Sequence, residues 1–117
     1  MPKTSRKELG DRGEEMAVLF LKKLGFEIIE LNWRNKRLEI DIIAKDQHDL
    51  VFVEVKVRST PTHVVISELI SDQKKENLVR AAESYMEEHA YEGQIRFDYL
   101  LYINNKMHYV RDAFWNY

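Results

Sequence analysis

Two segments of the 117-residue chain alternate apolar and polar residues in the manner of strands, and both contain ionisable residues. Asp41 interrupts the apolar run 40–43, while Glu54 and Lys56 lie within the valine-rich run 51–57. Residues two apart on a strand share a face, so Glu54 and Lys56 point the same way. If a hairpin through the polar residues 45–49 pairs the two strands, Asp41 and Glu54 converge.

Two converging carboxylates predict a site for a hard divalent cation. Burying a carboxylate costs free energy unless the group is paired or holds a metal. Mg²⁺ keeps several waters and takes one or two protein oxygens together with substrate phosphates. Lys56 then stands beside the metal, where it can orient an attacking water or stabilise charge that develops on a phosphate.

A structural interpretation of the same residues stays open. Glu54 and Lys56 can equally form a cross-strand ion pair on a solvated strand face, and such surface pairs contribute little to stability. Asp41 favours the chemical interpretation, because it adds a second carboxylate within an apolar run.

The surrounding pattern predicts the order α-β-β-β-α-β-β, an α/β sandwich with a mixed sheet. Apolar residues recur at helical spacing over 5–24 and again from Ser71 or Asp72, either of which is a plausible N-cap. Gly25 suits the end of the first helix. Strands are predicted over 27–33, 38–44, 50–58, 96–103 and 107–111, with 59–66 as a loop and the tail 112–117 packed down.

The first helix supplies a further acid. Glu14 shares a side of this helix with Ala17 and Leu21, so it borders the apolar stripe and can face the sheet. Gly10 and Gly13 each disfavour a helix interior, which predicts close backbone packing or an irregular start. Taken alone, Glu14 also fits an ordinary solvated helix charge.

These residues carry a family resemblance. The segments Gly13-Glu14-x-x-Ala17, Asn32-Trp33-Arg34, Glu39-Ile40-Asp41, Phe52-Val53-Glu54-Val55-Lys56-x-Arg58 and Arg96-Phe97-Asp98 resemble the YraN-like family of small bacterial proteins. That family is placed in the restriction-endonuclease-like, or PD-(D/E)XK, nuclease superfamily and is similar to archaeal Holliday-junction resolvases. The resemblance implies a restriction-endonuclease-like sandwich, a mixed β-sheet flanked by helices, with residues 1–117 forming one nuclease-like domain.

The resemblance also implies roles for individual residues. It makes Asp41 and Glu54 metal ligands, and it places Glu14, Asp41, Glu54 and Lys56 in the catalytic set, with Glu39 as an additional acid of less clear role. It implies Mg²⁺ or Mn²⁺ as the cofactor, DNA as the partner and a homodimer as the assembly. Lys74 matches a lysine near the start of the second helix that could reach a phosphate; a capping or solvent role is the alternative.

Basic residues can supply the phosphate contacts that dominate affinity for nucleic acid. We expect Arg34, Arg58 and Lys74 to bind nucleic acid; scattered solubility charges are the alternative. The other basic residues that could flank the active face are Lys3, Arg6, Lys7, Arg12, Lys36 and Arg37. Trp33 could stack on a base, although a strand-end tryptophan more often lies in the core.

Composition excludes several classes of protein. There are no cysteines, which removes disulfide scaffolds, thiol nucleophiles and cysteine metal sites. The formal net charge of −2 argues against a wholesale polyelectrolyte binder of nucleic acid or acidic membranes. No apolar run is long enough to span a bilayer, and the first ten residues lack the apolar core of a signal peptide, so a cytoplasmic location is expected.

The sequence therefore favours a Mg²⁺-dependent nuclease that hydrolyses DNA phosphodiester bonds, with branched or otherwise structured DNA as a candidate substrate. Two alternatives from other classes remain. One is a non-catalytic nucleic-acid-binding or adaptor module that retains the nuclease fold. The other is a protein-interaction domain whose acidic cluster is a structural ion-pair network.

Overall fold

Two helices and five strands make up the computed structural model, which describes residues 6–59 and 71–113. The elements follow the order α-β-β-β-α-β-β, as the sequence pattern predicts. Their bounds are α1 Arg6–Lys23, β1 Glu27–Asn35, β2 Leu38–Asp46, β3 Asp49–Arg58, α2 Asp72–Glu88, β4 Gln94–Ile103 and β5 Lys106–Val110.

The strands form one mixed sheet in the order β1-β2-β3-β4-β5. β1, β2 and β3 are antiparallel neighbours joined by tight connections. β3 and β4 are parallel, so the chain must cross over between them, and α2 lies in that crossover. β5 returns antiparallel to β4. The expected α/β sandwich with a mixed sheet is confirmed.

Each face of the sheet has its own apolar core. On one face, Ala17 and Leu21 of α1 pack with Val51 and Val53 of β3. The valines alternate with the residues of the opposite face, as a period of two requires. Gly13 allows α1 to approach β3 closely, since a Cβ at this position would lie 2.1 Å from Cγ2 of Val57. The predicted close backbone packing is confirmed at Gly13.

The other face is covered by α2. Its buried stripe includes Leu78, Ala82 and Tyr85, which pack against Phe52 of β3 and Trp33 of β1. Trp33 is 5% exposed, and its ring meets that of Tyr85 edge to face at 5.7 Å. The core interpretation of Trp33 is therefore confirmed, and a buried tryptophan is not available for stacking on a base.

The ends of the helices follow local sequence signals. The Ser71 hydroxyl accepts a hydrogen bond from the Lys74 backbone N–H, which makes Ser71 the N-cap of α2. Gly25 adopts φ +92° after α1, a conformation that glycine tolerates. Most of the predicted loop 59–66 and residues 114–117 of the tail lie outside the described residues. Neither described helix has the length and apolar character needed to cross a membrane.

One prediction about β2 is wrong. Strict alternation would place Leu38, Ile40, Ile42 and Ala44 on one face. Instead Ile42 and Ala44 join the α1 core, whereas Ile40 packs with the α2 core and Leu38 lies against it. The strand changes phase at Asp41, between Ile40 and Ile42. The change matters for function because Asp41 is one of the candidate metal ligands.

Candidate functional site

The candidate site lies where β2 and β3 separate. Their pairing runs from Asp46 and Asp49 at the hairpin to Ile42 and Val53, and the register ends there. Beyond this point β2 continues to pair with β1, and β3 continues to pair with β4. The sheet thus opens into a notch. Asp41 lies at its apex, where its Oδ2 accepts a hydrogen bond of 2.8 Å from the Val55 backbone N–H.

Glu54 is close enough to Asp41 for its charge to influence the ionisation of Asp41. Burial is the main cause that raises the pKa of Asp41 to about 7, and the charge of Glu54 acts in the same direction. The hydrogen bond from Val55 opposes both effects. Burial also raises the pKa of Glu54, against the charges of Lys56 and Lys74. The predicted convergence of the two carboxylates is therefore observed.

Two lysines meet beside the carboxylates. Lys56 is 4% exposed, and its pKa is lowered to about 8 by burial and then by the neighbouring Lys74. Lys74 itself is exposed, in the first turn of α2, and its charge also reaches Glu54. Burial excludes the interpretation of Lys56 as part of a solvated strand face. Two adjoining ammonium groups repel each other, so the arrangement favours an anion near both.

Glu14 approaches the same carboxylates from α1. It is half-buried, and its negative charge contributes to the raised pKa of Asp41. The close contact of Gly13 with Val57 holds this part of the helix against the end of β3. Glu15, by contrast, is exposed. The structure therefore places Glu14 with the sheet acids, as its position on the apolar border of the helix suggested.

The remaining predicted residues surround this group. The charge of Glu39 acts on both Asp41 and Glu54, and Glu39 pairs with Arg34 at 3.5 Å. Arg58 lies within electrostatic range of Glu54, and its guanidinium donates to the Val57 carbonyl. Arg34 and Arg58 are both exposed. The predicted site residues therefore lie at one end of the sheet, with Lys74 beside them on α2. The other seven are Glu14, Arg34, Glu39, Asp41, Glu54, Lys56 and Arg58.

Comparison with known proteins identifies the family. The model of the uncharacterised protein family UPF0102 matches residues 13–101. The chain belongs to the UPF0102 family. A relative from Christiangramia forsetii is 40% identical over 111 residues, covering 92% of this chain and 93% of its own. A relative from Caldicellulosiruptor saccharolyticus is 44% identical over 104 residues, covering 87% of this chain and 88% of its own. The expected YraN-like membership is confirmed.

A solved structure shares the fold of this UPF0102 protein. It is Hjc of Archaeoglobus fulgidus, a Holliday junction resolvase from an archaeal hyperthermophile. The two superpose with a TM-score of 0.59 at 20% identity, covering 89% of this chain and 78% of Hjc. At this level of identity the likeness shows the fold, and it confirms the resolvase-like architecture expected from the sequence.

Tyr99 lies beside the candidate site of this UPF0102 protein, and the sequence did not single it out. It lies opposite Glu54 in the β3–β4 register and is fully buried. Burial raises the pKa of Tyr99, and the nearby charge of Glu54 raises it further. No signal in the sequence near Tyr99 indicates this proximity, because only the parallel β3–β4 register brings the two residues together.

A second charged cluster lies at the opposite end of the sheet. Arg96 is 5% exposed and forms paired hydrogen bonds of 2.9 Å with Asp98, which is fully buried. Arg96 also contacts Asp46 and Asp49, and Asp98 accepts a hydrogen bond from the hydroxyl of Tyr109. Alternation of polar residues in the apolar strand Gln94–Ile103 is the sequence signal of this network, which had no assigned role.

Two surface cavities adjoin this second cluster, and neither is lined by the candidate site residues. Their volumes are about 490 and 410 Å³. The larger is lined by Phe20, Phe26 and Tyr109 together with the β2–β3 hairpin.

The donor set at the notch suits a hard cation with few protein ligands. Among the described residues, no group of three or more acidic or histidine side chains forms a metal cage. Asp41 and Glu54 supply carboxylate oxygens, and only Oδ2 of Asp41 is engaged by Val55. Mg²⁺ typically binds through one or two carboxylates and completes its shell with waters and phosphates. The residues present therefore fit such an ion.

Proposed function

We propose that this UPF0102 protein is a metal-dependent nuclease that hydrolyses DNA phosphodiester bonds. The observation that carries the proposal is the juxtaposition of Asp41 and Glu54 with Lys56 and Lys74 in the notch between β2 and β3. Carboxylates suit a divalent cation, and adjoining ammonium groups suit a phosphate. The site therefore offers ligands for a metal ion and positive charge for the phosphodiester that the ion would bind.

Each of the candidate site residues has a distinct part in the proposed reaction. Asp41 and Glu54 would hold Mg²⁺ or Mn²⁺, and Glu14 would assist from α1. When bound, the cation would supply Lewis-acid chemistry and lower the pKa of a water molecule. Lys56 orients the water or stabilises charge on the phosphate, and Lys74 binds a phosphate oxygen. The oxygen of water forms a new bond to phosphorus and the water gives up a proton to solvent, while the bond from phosphorus to the leaving oxygen breaks and that oxygen takes up a proton from solvent.

The cations that neighbour the carboxylates support DNA as the substrate. Arg58 and Lys74 act on Glu54 and Arg34 pairs with Glu39, so these three cations can contact phosphates on either side of the scissile bond. The fold shared with a Holliday junction resolvase supports branched DNA as the substrate class. A homodimer, one nuclease-like domain spanning 1–117 and a cytoplasmic location complete the proposal.

A cleavage panel tests the proposed activity. Single-stranded, duplex, flap and four-way-junction DNA are incubated with the wild-type protein in Mg²⁺, in Mn²⁺ and in chelator. Glu54→Gln and Lys56→Gln remove a charge each at nearly constant size. The matched control is Glu83→Gln, an exposed acid on α2. Removing groups that act together in the transition state lowers rates by about 10²–10⁴-fold.

The expected result is metal-dependent cleavage by the wild-type protein and by Glu83→Gln, with loss of activity in the two site variants. Activity that survives both Glu54→Gln and Lys56→Gln would contradict the assignment of the site. Binding of DNA without cleavage under every condition would favour the adaptor module that retains the nuclease fold.

A further inference from the structure

The tip of the β1–β2 hairpin is a second charged feature at the notch end of the sheet. β1 and β2 pair up to Asn35 and Leu38, so Lys36 and Arg37 form a two-residue turn. Both side chains are exposed. Within the described ranges, neither forms a salt bridge, whereas the nearby Arg34 is paired with Glu39. The tip therefore carries two cations that are not neutralised by this part of the chain.

The backbone of this turn favours a different residue. Lys36 has φ +58°, in the left-handed region where glycine, asparagine and aspartate are favoured. Two-residue hairpin turns commonly contain glycine for this reason. A lysine at such a position gives up local stability while it presents a charge. Residues held in unfavourable backbone conformations cluster at functional sites.

The tip is also held rigidly against α2. The Asn35 side-chain amide donates a hydrogen bond of 2.7 Å to the Ser84 hydroxyl. Two residues earlier on β1, Trp33 packs edge to face with Tyr85, the residue after Ser84. Two contacts at the base of a two-residue turn limit its movement. With the base of the turn held in this way, less backbone freedom is lost when the two side chains bind a ligand.

The distance from the tip to the catalytic group suits contacts with a neighbouring stretch of the same polymer. Arg37 is four residues from Asp41 along β2, which at a rise of about 3.4 Å per residue is about 14 Å. Ser84, beside the tip, is ten residues from Lys74 along α2, or about 15 Å. Duplex DNA advances about 3.4 Å per base pair, so this separation corresponds to about four base pairs.

We infer that Lys36 and Arg37 form a rigid phosphate clamp, which binds the DNA backbone about four base pairs from the scissile phosphate. The inference rests on the proposed nucleic-acid substrate and adds a second contact region remote from the metal. The clamp contributes affinity and orientation and no base readout, since phosphates are alike in every sequence. It would make the protein favour substrates with a duplex arm long enough to reach the tip.

The test measures binding, so it does not depend on cleavage. The variant Lys36→Gly/Arg37→Gln removes both charges, and glycine suits the backbone of the turn. The matched control, Lys22→Gln/Lys23→Gln, removes two exposed lysines from the end of α1 remote from the notch. Fluorescence anisotropy with a duplex of about 20 base pairs, in Ca²⁺ to prevent turnover, gives Kd over a range of salt concentrations. Thermal unfolding checks that each variant is folded.

Each phosphate contact contributes about 0.9 to the slope of log K against log salt for duplex DNA. We expect the tip variant to lower this slope by about 1.8 and to weaken binding about 10- to 50-fold near 100 mM salt. A wild-type slope in the tip variant, or an equal change in the control, would overturn the clamp while leaving the nuclease proposal intact. Wild-type binding without cleavage, together with the expected slope change, would support the clamp and contradict the nuclease.

Discussion

Oδ2 of Asp41 accepts a hydrogen bond of 2.8 Å from the backbone N–H of Val55, at the point where β2 leaves β3. The carboxylate takes the place of a strand carbonyl, so the two strands part without leaving the Val55 N–H unsatisfied. The same bond directs Asp41 toward the opening between the strands. Local chain geometry and the placement of a candidate metal ligand are therefore one structural feature.

Replacing Asp41 by asparagine is expected to stabilise the metal-free protein. The pKa of this carboxyl is about 7 in the folded chain against an ordinary 3.8, so its ionisation at higher pH opposes folding. Asparagine keeps an acceptor for the Val55 N–H and carries no charge. We expect a gain of about 1–3 kcal/mol at pH 8, which corresponds to a rise in Tm of several degrees. Thermal unfolding in chelator measures it.

The matched control is Asp72→Asn, an exposed acid in the first turn of α2. Its charge interacts favourably with the helix dipole, so its loss should lower stability by about 0.5 kcal/mol. Mg²⁺ should raise the Tm of the wild-type protein and of Asp72→Asn and leave that of Asp41→Asn unchanged. A wild-type protein more stable at pH 8 than Asp41→Asn in chelator would contradict the assigned pKa.

Metal affinity is expected to depend steeply on pH near neutrality. Below a pH of about 7 the Asp41 carboxyl is protonated in the metal-free protein, and a cation must displace that proton. We expect the apparent Kd for Mg²⁺ to rise about tenfold per pH unit between pH 7 and 5 and to change less above pH 8. Calorimetric titrations in buffers of different ionisation enthalpy count the protons released. No proton release at pH 6 would count against Asp41 as a ligand.

Removing Lys74 is expected to raise the pKa of Lys56. Burial and the neighbouring ammonium together lower this pKa to about 8, and Lys74→Gln eliminates the second cause. The change is visible by NMR titration of the Lys56 side-chain nitrogen, with Lys75→Gln as the control from the adjacent position on α2. An unchanged pKa in Lys74→Gln would show that the two ammonium groups do not interact in solution.

The sequence predicted most of the fold because its signals are local. The alternating valines of β3, the Ser71 cap and the Gly25 helix end each depend on neighbouring residues, and each is found as expected. The convergence of Asp41 and Glu54 could also be predicted, because a tight hairpin connects their strands.

Other features depend on contacts that no local pattern specifies. The phase of β2 changes at Asp41, next to the point where its pairing with β3 ends, so strict alternation gave the wrong face for Ile40. The position of Tyr99 beside Glu54 requires the parallel β3–β4 register, which is set by the crossover through α2. Side-chain spacing in the sequence carries no information about that register.

The Arg96 network is expected to support the fold without taking part in the candidate reaction. Arg96 and Asp98 are buried, and removing one partner of a buried pair costs about 3–5 kcal/mol because the other charge remains. Arg96→Met and Asp98→Asn should lower the free energy of unfolding by this order. Both should leave the Kd for Mg²⁺ of the folded protein within about twofold of the wild type. A selective loss of metal affinity would place this cluster in the functional site.

Contact between Gly13 and Val57 is expected to control the position of Glu14. A methyl group at residue 13 would lie 2.1 Å from Cγ2 of Val57, so Gly13→Ala requires Val57 or α1 to shift, and we expect α1 to move away from β3. We expect a loss of about 1–3 kcal/mol of stability. Metal affinity should fall as well, since Glu14 moves away from Asp41.

Val57→Ala removes the obstructing methyl groups, so the double variant should recover most of the affinity lost in Gly13→Ala. Chemical denaturation and Mg²⁺ titration of the four proteins form a double-mutant cycle. Additive effects in that cycle would contradict a direct contact as the cause.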